Sequence, residues 1–135
     1  MLTERTFPSR ETDLHAVVGH VEHRGAALRL PRPLVLRLCL VVEELFVNTA
    51  RYAGGGHTES SVHIDADEAG VWLRYADTGP AFNPLEDLAR EALSRTVELR
   101  PVGGLGRILV HDLSAEARYE RVGERNVLHL RFDQA

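Results

Sequence analysis

Apolar side chains recur along this chain with two different periods. From Leu34 to Phe46 they return every three or four positions (Leu34, Leu38, Val41, Val42, Leu45, Phe46), which lays them along one side of an α-helix. The pattern predicts a helix from about Pro33 to Ala53. Proline is suited to its first turn, and Gly54-Gly55-Gly56 ends it. A weaker helical pattern covers Arg10 to Gly25, with Leu14, Val17, Val18 and Val21 on one side and Ser9 as the expected N-cap. Further on the period shortens to two. Ser61 to Ala66 and Gly70 to Ala76 read as strands joined by the acidic turn Asp67-Glu68. Ala115 to Arg121 and Asn126 to Phe132 read as two more strands, with Gly123 in their hairpin. A short opening strand over Leu2–Pro8, a helical stretch over Leu85–Leu93, and a glycine turn at Gly103–Gly106 opening a helix to Leu113 complete the pattern. Strands adjoin at the C-terminal end while helices lie before and between. The expected class is therefore α+β, with a mixed or antiparallel sheet and helices on one face, in a single domain over residues 1–135.

Composition narrows the function classes. At 135 residues, 44% apolar and 27% charged, the chain has material for one core and an ordinary globular balance. Its net charge is -4 and its cations are dispersed arginines, whereas phosphate-backbone binding needs clustered Lys and Arg. Direct nucleic-acid binding is not expected. The single cysteine, Cys39, excludes an intrachain disulfide and reads as a small buried hydrophobe. The N-terminal stretch has no apolar leader segment. The longest apolar run, Leu34–Val47, is interrupted by Arg37, Glu43 and Glu44, too short and too charged for the roughly 20 apolar residues a membrane span takes. A cytoplasmic protein without a membrane partner is the expectation.

Three local patterns carry candidate chemistry. On the predicted long helix, Arg37, Glu44, Asn48 and Arg51 fall on one polar stripe and stack a carboxylate, an amide and a guanidinium over adjacent turns. A solvated helix face would look the same. After the strand ending at Ala76 comes Asp77-Thr78-Gly79-Pro80-Ala81-Phe82-Asn83-Pro84, in which an Asp enters a Gly/Pro turn. Such an Asp can accept a hydrogen bond from a ligand amino group, with Gly79 letting a flat ring approach; an Asx-turn would also account for it. Gly103-Gly104-Leu105-Gly106 opens a helix, where backbone N–H groups can hold an anion, although a plain loop would serve as well. No Lys-Ser/Thr follows, so this is not a Walker A loop. His20 and His23 stand at i,i+3, without the Cys or carboxylate pair that a structural zinc site would need.

The order of the three patterns is more specific than any one of them. Glu-x-x-x-Asn on a helix, Asp-x-Gly after a strand, then Gly-Gly-x-Gly before a helix resembles the GHKL (Bergerat) ATPase superfamily. The segments VVEELFVNTARYA, DTGPAFNP and GGLGRILV look most like the stand-alone anti-sigma-factor serine kinases of the RsbW and SpoIIAB type. That resemblance implies a two-layer α/β sandwich binding ATP and Mg²⁺. It makes Glu44 the catalytic carboxylate, Asn48 the metal-holding residue and Arg51 a cation facing the phosphates. It makes Asp77 the reader of the adenine amino group, with Gly79 and Ala81 in the loop beside the ring; Ala81 stands where the family often has glycine. The turn Gly103, Gly104, Leu105 and Gly106 would meet the phosphates. Family members often place a polar residue near the base from a late strand, and Asn126 is a weak match for it. The resemblance also implies an anti-anti-sigma (STAS) protein as phosphoryl acceptor, a sigma factor as a further partner, and a homodimer. A nucleotide-gated binding module with little kinase activity, or a switch kinase acting on a scaffold STAS protein, would use the same site.

Overall fold

Five strands and two long helices make up the described part of the computed structural model, residues 4–53, 57–85 and 114–134. In chain order they are β1 (Glu4–Pro8), a single 3-10 turn (Glu11–Asp13), α1 (Leu14–Ala27), α2 (Arg32–Tyr52), β2 (Glu59–Asp67), β3 (Gly70–Asp77), β4 (Glu116–Val122) and β5 (Arg125–Phe132). The strands form one sheet in the order β1-β2-β3-β5-β4, and every pairing is antiparallel. The fold is therefore α+β, and the described sheet has no parallel pair.

Strand parity separates the two faces of the sheet. Val62 and Ile64 of β2, Leu73 and Tyr75 of β3, and Leu128, Leu130 and Phe132 of β5 are buried against Leu34, Leu38, Val41, Val42, Leu45 and Phe46 of α2 and Val17 and Val21 of α1. Each such side chain contributes about 1.5–3 kcal/mol when fully buried, so this single layer of contacts is the main source of stability. The opposite face is polar: Arg74 pairs with Glu4 and Arg131 with Glu116, each at 3.1 Å, and His129 Nε2 is hydrogen-bonded to Glu120 Oε2 at 2.6 Å. Trp72 lies on this outer face, 36% exposed, with its indole N–H donating to Asp67 Oδ2 at 2.8 Å.

The structure alters some sequence expectations. Ser9 is not a helix cap. It is fully buried at the end of β1, where its N–H donates to the Thr58 carbonyl and its hydroxyl meets Ser60 Oγ at 2.7 Å. Helix α1 continues past Gly25 to Ala27. A Cβ at Gly25 would come within 2.7 Å of Val35 Cγ2, so this glycine sets the close approach of α1 to α2 rather than stopping a helix. Cys39 is half-buried and packs against the core; burial and the nearby Glu22 carboxylate push its thiol pKa up, which suits an inert role. His20 faces inward against the Phe7 ring, whereas His23 is exposed. The Gly103–Gly106 turn, the helix after it and all but Leu85 of the predicted Leu85–Leu93 stretch lie outside the described residues.

Candidate functional site

Among the described residues, the C-terminal half of α2 and the ends of β3 and β5 leave a gap between the layers that no large side chain fills. The result is a cavity of about 530 Å³ lined by residues of α2, β3, β5, β4 and the loop after β3. Apolar groups form most of the wall, among them Leu45, Leu128, Pro80, Ala81 and Phe82. Polar groups converge at one place, made by Thr49, Tyr75, Asp77 and Asn126. A mostly apolar concavity with a few convergent polar atoms is the usual form of a small-molecule site.

Asp77 is the centre of that polar group. As the last residue of β3 it pairs with Asn126 at the start of β5 and with Ser60 of β2. Its Oδ1 accepts from the Gly79 N–H and from Asn126 Nδ2, each at 2.9 Å. Among the described residues its Oδ2 accepts only a longer bond, from the Thr49 hydroxyl at 3.3 Å. An ionised carboxylate has about four lone-pair positions, so Oδ2 keeps capacity for a further donor. Behind Asp77 runs a chain of buried hydroxyls: Thr49 Oγ1 is 2.7 Å from the Tyr75 hydroxyl, which donates toward Ser60 Oγ at 3.0 Å, and Ser60 meets Ser9. Burial raises the Tyr75 pKa far above the ordinary phenol range, so the group stays a neutral hydroxyl.

Gly79 contributes in two ways. Its N–H orients Asp77, and its missing side chain leaves room for Ala53, whose Cβ would lie 2.7 Å from a Cβ placed there. The turn after β3 is thereby seated on the C-terminal end of α2.

The sequence-derived residues are gathered unevenly. Asn48, Asp77 and Ala81 line the cavity, and Gly79 sits directly behind Asp77. Glu44 is half-buried one turn before Asn48 on the same helix face, outside the cavity lining. Arg51 is exposed and paired with Glu11 of the 3-10 turn at 2.5 Å; that bond first, and the Glu11 charge second, raise its pKa. Gly103, Gly104, Leu105 and Gly106 are outside the described residues. Thr49, Tyr75, Tyr119 and Arg121 were not singled out from the sequence. Parity offered a signal for Tyr75, two residues before Asp77 on the same strand side. The Gly123 hairpin offered another, since it sets Arg121 opposite Asn126 and Tyr119 opposite Leu128.

Comparison with known proteins decides the family. The model of the histidine kinase-like ATPase domain matches residues 7–132, nearly the whole chain. The chain belongs to that family. Histidine kinases are found among the solved structures similar to it. The catalytic domain of the histidine kinase ThkA superimposes with a TM-score of 0.54 at 14% identity, over 98% of this chain and 97% of that one. The histidine kinase AdeS of Acinetobacter baumannii gives 0.52 at 16% identity, over 99% and 68%. The blue-light activated histidine kinase of Erythrobacter litoralis EL346 gives 0.52 at 19% identity, over 78% of this chain and 32% of that one. The chain thus spans about a third of that light-activated kinase. At these identities the likeness is one of fold. Among curated proteins none matches significantly. The sheet order, the two helices on one face and the pocket between them are the described portion of this histidine kinase-like ATPase domain, and Asp77 sits at the pocket's most polar point.

Proposed function

We propose that this domain binds ATP with Mg²⁺ and acts as a protein serine/threonine kinase of the anti-sigma-factor type. Its phosphoryl acceptor would be a STAS-domain protein, its second partner a sigma factor, and its working form a homodimer. One observation carries the nucleotide part: a carboxylate with spare acceptor capacity on Oδ2 stands at the polar end of an otherwise apolar cavity large enough for a purine. A purine's flat apolar faces suit the walls, and its exocyclic amino group suits Asp77. Asn48 is the lining residue suited to hold the cation, and a cation held there neutralises phosphate charge. Glu44 orients the acceptor hydroxyl toward the γ-phosphate. The order Glu44, Asn48, Asp77, Gly103–Gly106 along the chain supports this reading.

The test is transfer of labelled phosphate from Mg-ATP to a STAS-domain protein, followed by identification of the modified residue. Phosphoserine or phosphothreonine with the wild type, and none with Glu44→Ala, is expected. Phosphohistidine, the modification suggested by the names of the structural neighbours, would overturn the serine/threonine assignment. A second reading, a nucleotide-gated binding module, is favoured by one observation: Glu44 lies outside the cavity lining. Partner capture that depends on ATP without any phosphoryl transfer would select it.

A further inference from the structure

Asn126 lines the cavity, yet its amide is already fully used by the protein. An amide side chain has two N–H donors and one oxygen with two lone pairs. Both hydrogens of Nδ2 are taken, one by Asp77 Oδ1 at 2.9 Å and the other by the Pro80 carbonyl at 2.8 Å. Oδ1 receives three donors: the Phe82 N–H at 3.0 Å, the Tyr119 hydroxyl at 2.6 Å and Arg121 Nη1 at 3.2 Å. A direct contact to a ligand would need a free donor or acceptor, and this side chain has neither.

What Asn126 holds is the turn after β3. Gly79 has fastenings of its own: its N–H donates to Asp77 Oδ1 and its carbonyl accepts from Arg121 Nη1. From Pro80 to Phe82 the pattern changes. The proline has no N–H, and among the described residues these three positions make two hydrogen bonds, both to Asn126. Pro80, Ala81 and Phe82 all form pocket wall, and Phe82 is 47% exposed, so packing gives it little hold. One amide thus fastens both ends of a three-residue stretch of wall. It does so from β5, a strand paired on both sides, with β3 and with β4.

We infer that Asn126 is a positioning residue: its amide holds the Pro80–Phe82 turn in place as a preformed wall of the pocket and does not itself touch the ligand. The inference rests on the nucleotide-binding reading above for the identity of that ligand. Without this clasp the turn is loose in the free protein and has to be ordered when a ligand binds, which lowers affinity.

The experiment combines hydrogen exchange at the Phe82 amide with Mg-ATP titration, on the wild type, Asn126→Ala, Phe82→Ala and the double variant. In the nucleotide-free wild type the Phe82 amide should exchange slowly, and an amide as fast as an open loop overturns the inference without any variant. In Asn126→Ala its exchange should quicken at least tenfold while the amides of β3, in the middle of the sheet, keep their protection. ATP affinity should fall about tenfold, the scale of ordering one or two backbone residues on binding. Because that loss passes through the wall, it should shrink to within about threefold when Phe82 is already alanine. A fall in affinity with Phe82 exchange unchanged, or a full additive loss in the double variant, overturns the inference and makes Asn126 a ligand contact. Unchanged affinity with a loosened turn also overturns it, as does faster exchange in β3 and Phe82 alike. If the wild type binds no nucleotide, the proposed function fails, and the exchange rates of Phe82 and β3 alone decide the clasp.

Discussion

Asp77 makes no ion pair to Lys or Arg among the described residues; its charge is held by a backbone N–H, an amide and a hydroxyl. Dipoles of this kind keep a carboxylate in place while leaving it free to accept from a ligand. Asp77→Asn keeps the shape but turns part of that acceptor into a donor. A hydrogen bond to a charged group contributes about 1.5–3 kcal/mol, so ATP affinity should fall roughly 10- to 100-fold in a titration, with the melting temperature much less affected. Glu44 is different in kind. It lies outside the cavity lining, so Glu44→Ala should leave the nucleotide dissociation constant within about twofold of wild type while removing phosphoryl transfer. A fall in affinity as large as that of Asp77→Asn would move Glu44 from the transfer step to the binding site.

Helix α2 carries both the core and the pocket wall, and the way α1 packs on it is limited by one atom's width. Gly25→Ala would bring a methyl group against Val35, a β-branched side chain with little rotamer freedom. The expected loss is about 1–3 kcal/mol of unfolding free energy, readable by urea titration. The β2–β3 hairpin has a comparable point at Gly70, whose φ of +141° and 2.4 Å approach of a would-be Cβ to the Phe132 carbonyl exclude other residues. These elements were largely legible in the sequence. Helical spacing placed α2 within a residue or two of its observed bounds, and period-two runs placed β2, β3 and β5. Ser9 was misread because a cap and a buried strand-end hydroxyl look alike without a partner in view, and its partner, Ser60, is 51 residues away. The same distance effect hid Thr49 and the bond of Arg121 to Gly79, whose partners are 28 and 42 residues away; Tyr119 bonds Asn126 only seven residues away, and only the register of the Gly123 hairpin would have shown it. Asp77 was found because a strand ending in Asp-x-Gly is a local pattern as well as a tertiary one.

The two-layer arrangement gives the protein one apolar interior, one charged outer sheet face and a pocket at the layers' edge. No described helix is long and apolar enough to cross a membrane. His20 lies in that interior, next to Phe7, where burial first and the Arg5 charge second, with Arg24 and His23 adding, lower its pKa from the ordinary value of about 6.5. The unfolded chain therefore binds this proton more readily than the fold does. The stability that neutral His20 contributes is whole above about pH 6.5 and is lost as pH falls from there through the depressed folded value. Urea denaturation at pH 7.5 and at pH 5 should show a smaller acid loss in His20→Leu than in the wild type, and equal losses would remove His20 from the account. Whether the cavity at Asp77 is a nucleotide site is tested most directly by calorimetric titration of the purified protein with Mg-ATP. Saturable heat with the wild type, strongly reduced in Asp77→Asn, is the predicted result; no heat with the wild type, or the same affinity in both proteins, would contradict that assignment.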